Sequence, residues 1–153
     1  MKHMLAATMA LMALTFPALA QERFMAGPIE IVAPFSRATL PNAPTGGAYF
    51  SLINTGSADD RLVSATSPVS GDVQLHEMKV ENNVARMRDL PDGIPLPAGQ
   101  TVVLEPSGTH IMLTRLAGPL IEGETVPVTL TFEHAGDITL ALPIAHFAAR
   151  VAP

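Results

Sequence analysis

The segment Val126-Pro127-Val128-Thr129-Leu130-Thr131-Phe132, with Ile138-Thr139-Leu140-Ala141-Leu142 six residues later, decides the fold class. Val126, Val128, Leu130 and Phe132 share one face, and Pro127, Thr129 and Thr131 share the other. Ile138, Leu140 and Leu142 alternate with Thr139 and Ala141 in the same way. A period of two with one apolar face is the pattern of a half-buried strand. Working outward, similar short runs recur along the chain. They are Ile29 to Val32, Ala48 to Ile53, Arg61 to Ala65, Val73 to Val80, Val84 to Asp89, Thr101 to Leu104 and Ile111 to Leu116. Turn-forming stretches separate them, among them Pro41-Asn42-Ala43-Pro44, Asn54-Thr55-Gly56, Ser70-Gly71, Ser107-Gly108 and Ala135-Gly136. About nine short strands with regular turns predict an all-β Greek-key sandwich or barrel. No segment after Ala20 keeps a helical period. Leu90 to Gln100 holds three prolines and reads as a stiff surface loop.

The first twenty of the 153 residues read differently. Lys2 and His3 precede an apolar run from Met4 to Phe16, and Pro17-Ala18-Leu19-Ala20 is a small-residue cleavage site. This is the pattern of a secretory signal peptide, which leaves residues 21–153 as one exported domain. No later stretch approaches the length of an apolar membrane span, so a membrane-spanning protein is not expected. The net charge is −5, and −6 without Lys2. With no basic cluster, nucleic acid is not expected as a partner. The chain has no cysteine. That removes thiol catalysis, disulfide exchange, Fe–S clusters and blue-copper sites. A bacterial lipoprotein carries a Cys at its new N-terminus, where this chain has Gln21. In a Gram-negative host the expected location is therefore the periplasm, free of a lipid anchor.

Chemistry-bearing residues gather between positions 76 and 112. His76-Glu77-Met78 and His110-Ile111-Met112 are both His-x-Met. In a strand, residues two apart point to the same face, so each pair sets an imidazole beside a thioether. A two-residue turn at Asn82-Asn83 would pair Glu81 with Val84 and carry Met78 opposite Met87. A slip of one residue would destroy that alignment. Thioethers are soft neutral donors and imidazole is borderline, a set that favours Cu(I) over zinc, calcium or magnesium. The plainer reading is that each methionine fills the core and each histidine is an ordinary hydrogen-bonded residue. Glu77 and Asp89 read as solvated. His134 reads as a turn residue, Met25 as incidental, and His146 as a secondary contact at most. No nucleophile elbow, P-loop or paired-carboxylate spacing is present, so no enzyme is expected.

At these residues the sequence resembles the periplasmic copper chaperone family PCuAC. Ten residues separate His76 from Met87, and 22 separate Met87 from His110, with Met112 completing an H-x10-M-x22-H-x-M pattern. The flanks Ala48-Tyr49-Phe50, Asn54-Thr55-Gly56, Asp60-Arg61-Leu62, Pro95-Leu96-Pro97-Ala98-Gly99 and Gly108-Thr109 match as well. The resemblance runs from about Ile29 to Ile144. It implies a cupredoxin-like sandwich that binds one Cu(I) through His76, Met87, His110 and Met112, with Met78 as an auxiliary contact. It also implies copper delivery to the binuclear centre of cytochrome c oxidase, through an oxidase subunit or a thioredoxin-like assembly factor. Some relatives add a His/Met-rich C-terminal extension; this chain offers only His146 there. The competing function is a metal-free envelope interaction module, and a weaker third is a copper-dependent oxidase. Imidazole ligation predicts copper affinity that falls below about pH 6.

Overall fold

The computed structural model describes residues 21–153, so the signal peptide read over residues 1–20 lies outside the described residues. Those described form eleven strands: β1 (Arg23–Ala26), β2 (Ile29–Arg37), β3 (Thr45–Asn54), β4 (Asp60–Thr66), β5 (Ser70–Glu81), β6 (Val84–Asp89), β7 (Ile94–Leu96), β8 (Thr101–Leu104), β9 (Thr109–Leu116), β10 (Thr125–Phe132) and β11 (Gly136–Ala145). Among the described residues no helix is long and apolar enough to cross a membrane. The hydrogen-bonded order is β6-β5-β9-β3-β2-β11-β10-β4-β7, with β1 on β2 and β8 on β3. β11 joins the two layers: it pairs antiparallel along β10, then meets β2 in parallel through Ile144 and Ala145. The chain changes layer at β3–β4, β4–β5, β6–β7, β7–β8 and β9–β10. The result is an all-β, cupredoxin-like sandwich.

The alternation read in β10 and β11 faces the core as expected. Val128 lies opposite Leu140 and Leu130 opposite Ile138. Val126, Val128, Leu130, Phe132, Leu140 and Leu142 are buried against Ile29, Ile31, Leu52, Ile111 and Leu113 of the other layer. Each such side chain contributes about 1.5–3 kcal/mol on leaving water. The turn between these two strands is held by one buried acid. Asp60 accepts the backbone N–H groups of Arg61, His134 and Ala135 at 2.7, 3.0 and 3.0 Å. His134 therefore sits in a fixed turn, as its sequence context suggests.

All nine expected strands are present, and two more join them. β1 is a four-residue strand on β2. β7 corrects the reading of residues 90–100 as a surface loop. Ile94 and Leu96 are buried, and β7 pairs with β4 through Leu62↔Ile94 and Asp60↔Leu96. Pro95 stands between the two buried residues at the sheet edge, where its missing N–H leaves no partner unsatisfied. The segment reaches this position through Gly93, whose φ of +81° is left-handed and whose hydrogen atoms leave room for the Leu62 carbonyl. A Cβ there would lie 2.4 Å from that oxygen. Gly93→Ala is therefore expected to cost more than the roughly 1–2 kcal/mol of a left-handed backbone alone. Urea unfolding would read the loss; an unchanged midpoint would mean that β7 contributes nothing.

Candidate metal-binding site

The site is built on the outer face of the layer that holds β2, β3, β9, β5 and β6, and strand register decides who meets whom. Asn82 and Asn83 have φ of +50° and +63°. These are the left-handed values of a two-residue hairpin turn, which asparagine tolerates. The turn sets Glu81 opposite Val84 and so Met78 opposite Met87 and His76 opposite Asp89. On the other side of β5, His76 lies opposite His110 and Gln74 opposite Met112. The odd-numbered partners Leu75, Ile111 and Leu113 point the other way, into the core. The even-numbered residues of β5 and β9 thereby form one patch with Met87.

The structure brings four of the five expected residues, Met78, Met87, His110 and Met112, around one concavity of about 260 Å³, with Tyr49 and Phe147 on its rim. The fifth, His76, stands behind Met87. Its Nδ1 is 3.1 Å from the Met87 sulfur, and its ring centroid is 5.8 Å from that of His110. Both imidazoles are buried, at 7% and 3% exposure, while Met87 is 48% exposed. Among the described residues no three His, Asp or Glu side chains gather as a metal-holding group. Three thioethers, Met78, Met87 and Met112, line the concavity with His110, and that of Met87 touches His76.

Hydrogen bonds assign the ring nitrogens. His76 Nε2 faces two oxygens, Asp89 Oδ1 at 2.8 Å and Gln74 Oε1 at 3.1 Å. Both are acceptors, so Nε2 carries the proton, and in the neutral ring Nδ1 turns a lone pair toward Met87. His110 Nδ1 lies 2.9 Å from the Gly108 carbonyl, donates to it, and leaves Nε2 with the lone pair. Each imidazole thus has one nitrogen tied and one available, the arrangement metal-binding histidines show. Asp89, read from sequence as solvated, is exposed but holds His76. Glu77 lies on the opposite face of the hairpin. The hydrogen bond from Arg88, and then that from Lys79, holds its carboxyl below the usual range.

Burial lowers the His110 pKa from its ordinary value, the neighbouring His76 adds to the effect, and the Gly108 hydrogen bond opposes it. His146 stays outside the concavity: its Nδ1 accepts the Ala148 N–H at 3.2 Å, and its ring packs at a tilt against Phe147, with centroids 4.3 Å apart. The residue sequence reasoning missed is Tyr49, quoted as a flank but given no role. A signal did exist. Pro34 inside an apolar strand marks a bulge, and β2 indeed shifts register between Val32 and Phe35, with Ala33 at φ +51°. The extra residue turns Phe35 onto the outer face beside Tyr49, where the two pack with Ala145.

Two outcomes are expected of the metal-free protein. Nitrogen-15 NMR should find neutral His76 protonated at Nε2 and neutral His110 at Nδ1; the opposite tautomer at either ring would refute the assignment. His110 should also make stability depend on pH. Its folded pKa lies below its unfolded value of about 6.5, so its contribution is complete above that pH. The contribution is lost as pH falls from there through the folded value. Urea midpoints of the wild type and His110→Asn should therefore converge on acidification, and a constant gap would contradict the burial of a neutral ring.

Comparisons with known proteins agree with this architecture. The family described as "LpqE-like: Putative lipoprotein LpqE-like" matches residues 29–144. A protein of Leifsonia xyli subsp. xyli named "Putative lipoprotein Lxx21020" is 37% identical over 114 residues, 73% of this chain and 69% of that protein. Among solved structures, the copper-bound PCuAC domain from PmoF2 superposes with a TM-score of 0.70 at 26% identity, over 86% of this chain and 99% of that one. The Cu(I) form of DR1885 from Deinococcus radiodurans superposes with a TM-score of 0.60 at 27% identity, over 87% of this chain and 81% of that one. The chain belongs to the LpqE-like family, and its fold is that of the PCuAC domains.

Proposed function

We propose that this protein is a copper carrier of the bacterial envelope. It binds one Cu(I) through His76 Nδ1, Met87 Sδ, His110 Nε2 and Met112 Sδ, with Met78 as an auxiliary contact. The observation that carries this reading is the His76–Met87 contact of 3.1 Å, made by the His76 nitrogen that does not face Asp89 and Gln74. Two imidazoles and two thioethers are neutral and soft to borderline, which selects Cu(I) and leaves the site with a single positive charge. The copper-bound forms of the PmoF2 domain and of DR1885 support the same reading. The alternative, a metal-free module whose methionines fill the core, does not fit the packing. Met87 is exposed, and neither Met78 nor Met112 belongs to the buried core cluster.

In this reading the protein is not an enzyme. The metal is cargo, held and then surrendered by ligand exchange to a receiving protein. The recipient we propose is an oxidase subunit or a thioredoxin-like assembly factor serving the binuclear copper centre of cytochrome c oxidase. The support for that recipient is the sequence resemblance. Export of residues 21–153 to the periplasm is part of this proposal, supported by the signal-peptide pattern and by relatives whose names call them putative lipoproteins. The 153 residues hold no cysteine to carry a lipid.

A Cu(I) titration against a competing chelator, under reducing conditions, tests the proposal. One equivalent should bind, with affinity lost in Met87→Leu and in His110→Ala while both variants stay folded. Asp89→Ala should weaken binding by about 10–100-fold, because it frees the Nε2 proton that fixes His76. Binding should also weaken as His110 takes a proton. For His110 that competition sets in below its ordinary value of about 6.5, because burial lowers its pKa. No competitive binding by the wild type would remove the carrier reading.

A further inference from the structure

We infer that Tyr49 is a positioning residue for the metal site: its clamped ring holds the His110 imidazole in the plane that turns Nε2 toward the concavity. This rests on His110 being a ligand, as proposed above. Tyr49 lies on the outer face of β3, one residue beyond the Ala48↔Ile111 pair that aligns β3 with β9, and so comes level with His110. On a face open to solvent it is only 7% exposed.

The ring is held on three sides. Phe35 packs against it with centroids 5.2 Å apart. The Arg37 guanidinium carbon lies 5.5 Å from its centroid, within cation–π range. Arg37 is itself tied, donating from Nε to the Ala149 carbonyl at 2.6 Å. The floor is Gly47, where a Cβ would lie 2.1 Å from the tyrosine hydroxyl. A side chain at position 47 would evict the ring, and position 47 lies directly opposite Met112. The fourth side of Tyr49 faces His110, with centroids 6.4 Å apart and planes tilted by 47°. His76 meets the same imidazole edge-on from the other strand, at 79°.

His110 therefore has an aromatic neighbour on each side and one hydrogen bond, to Gly108. A single bond to a carbonyl is a weak lock on a ring that can turn over about its Cβ–Cγ bond. Turning over would carry the free nitrogen away from the site. The bulky fixed neighbour makes the hydrogen-bonded orientation the persistent one. The Tyr49 hydroxyl is engaged by Arg37, while it is the ring that faces His110.

The test uses the protein and its Tyr49→Phe and Tyr49→Leu variants. In the metal-free state, nitrogen-15 NMR of the imidazoles should show one tautomer of His110 in the wild type and in Tyr49→Phe. In Tyr49→Leu it should show a mixture, with His76 unchanged. Cu(I) affinity should follow: near wild type for Phe, lower by about tenfold or more for Leu. Tyr49→Met, which keeps volume without a planar wall, should behave as Leu does. A single His110 tautomer and full affinity in Leu or Met would overturn the inference. So would equal damage by Phe, or failure of both Leu and Met to fold, which would make the ring a requirement of the fold. If the wild type itself binds no Cu(I), the carrier reading fails, while the tautomer comparison still decides whether Tyr49 orients His110.

Discussion

The pairing of β5 with β9, which sets His76 directly opposite His110, is the constraint on which the site depends. A strand has one degree of freedom that matters here, its register, and a slip by one residue would exchange the two faces of β5. Leu75 would then leave the core and His76 would enter it. The core enforces the register because Leu75, Ile111 and Leu113 have nowhere else to go. The polar side of the same strands is thereby fixed without any contribution of its own. The histidine pair is positioned by the hydrophobic effect acting on its neighbours.

The hairpin legible in the sequence did most of the remaining work. Asn-Asn between two β-patterned runs predicts a two-residue turn, and the turn predicts Met78 opposite Met87; both are present. The alternation in β10 and β11 was equally plain, because one apolar face leaves a period of two. β7 was hidden because its two buried residues flank a proline in a segment rich in turn residues. Nothing local separates a short buried edge strand from a loop, and the decisive contact, with Leu62, is more than thirty residues away. Asp89 and Gln74 were hidden for a different reason. Their role comes from register to a histidine, and a carboxylate on an exposed strand looks solvated until its partner is known. Tyr49 required the bulge at Ala33-Pro34, a local feature whose consequence is felt only across two strands.

The proposed donors are unequal in their surroundings, and that inequality bears on how a carrier would work. The two imidazoles are buried and each is tied through its second nitrogen, so their directions are set before any metal arrives. The thioether of Met87 is half-exposed on β6, a strand with a partner on one side only. β5 and β6 also run on past the last pair with β9, Glu77↔Thr109; Met78, whose N–H still donates to the Gly108 carbonyl at 3.1 Å, stands where they become a two-stranded arm, with Met87 opposite it. Such a ribbon is held more weakly than the three-stranded part of the layer. A preorganised half lowers the cost of binding, since the rings need not be ordered when copper enters. A half-exposed Met87 on the edge strand would lower the barrier to exchange, since its thioether could swing out and be replaced by a donor from another protein. Burying all four donors would hold copper against its recipient. Exposing all four would leave selection to whichever ion came first. Fixed imidazoles behind an exposed thioether would meet both demands of a carrier, and they would do so because the core dictates the register of β5 and β9 but not that of the arm.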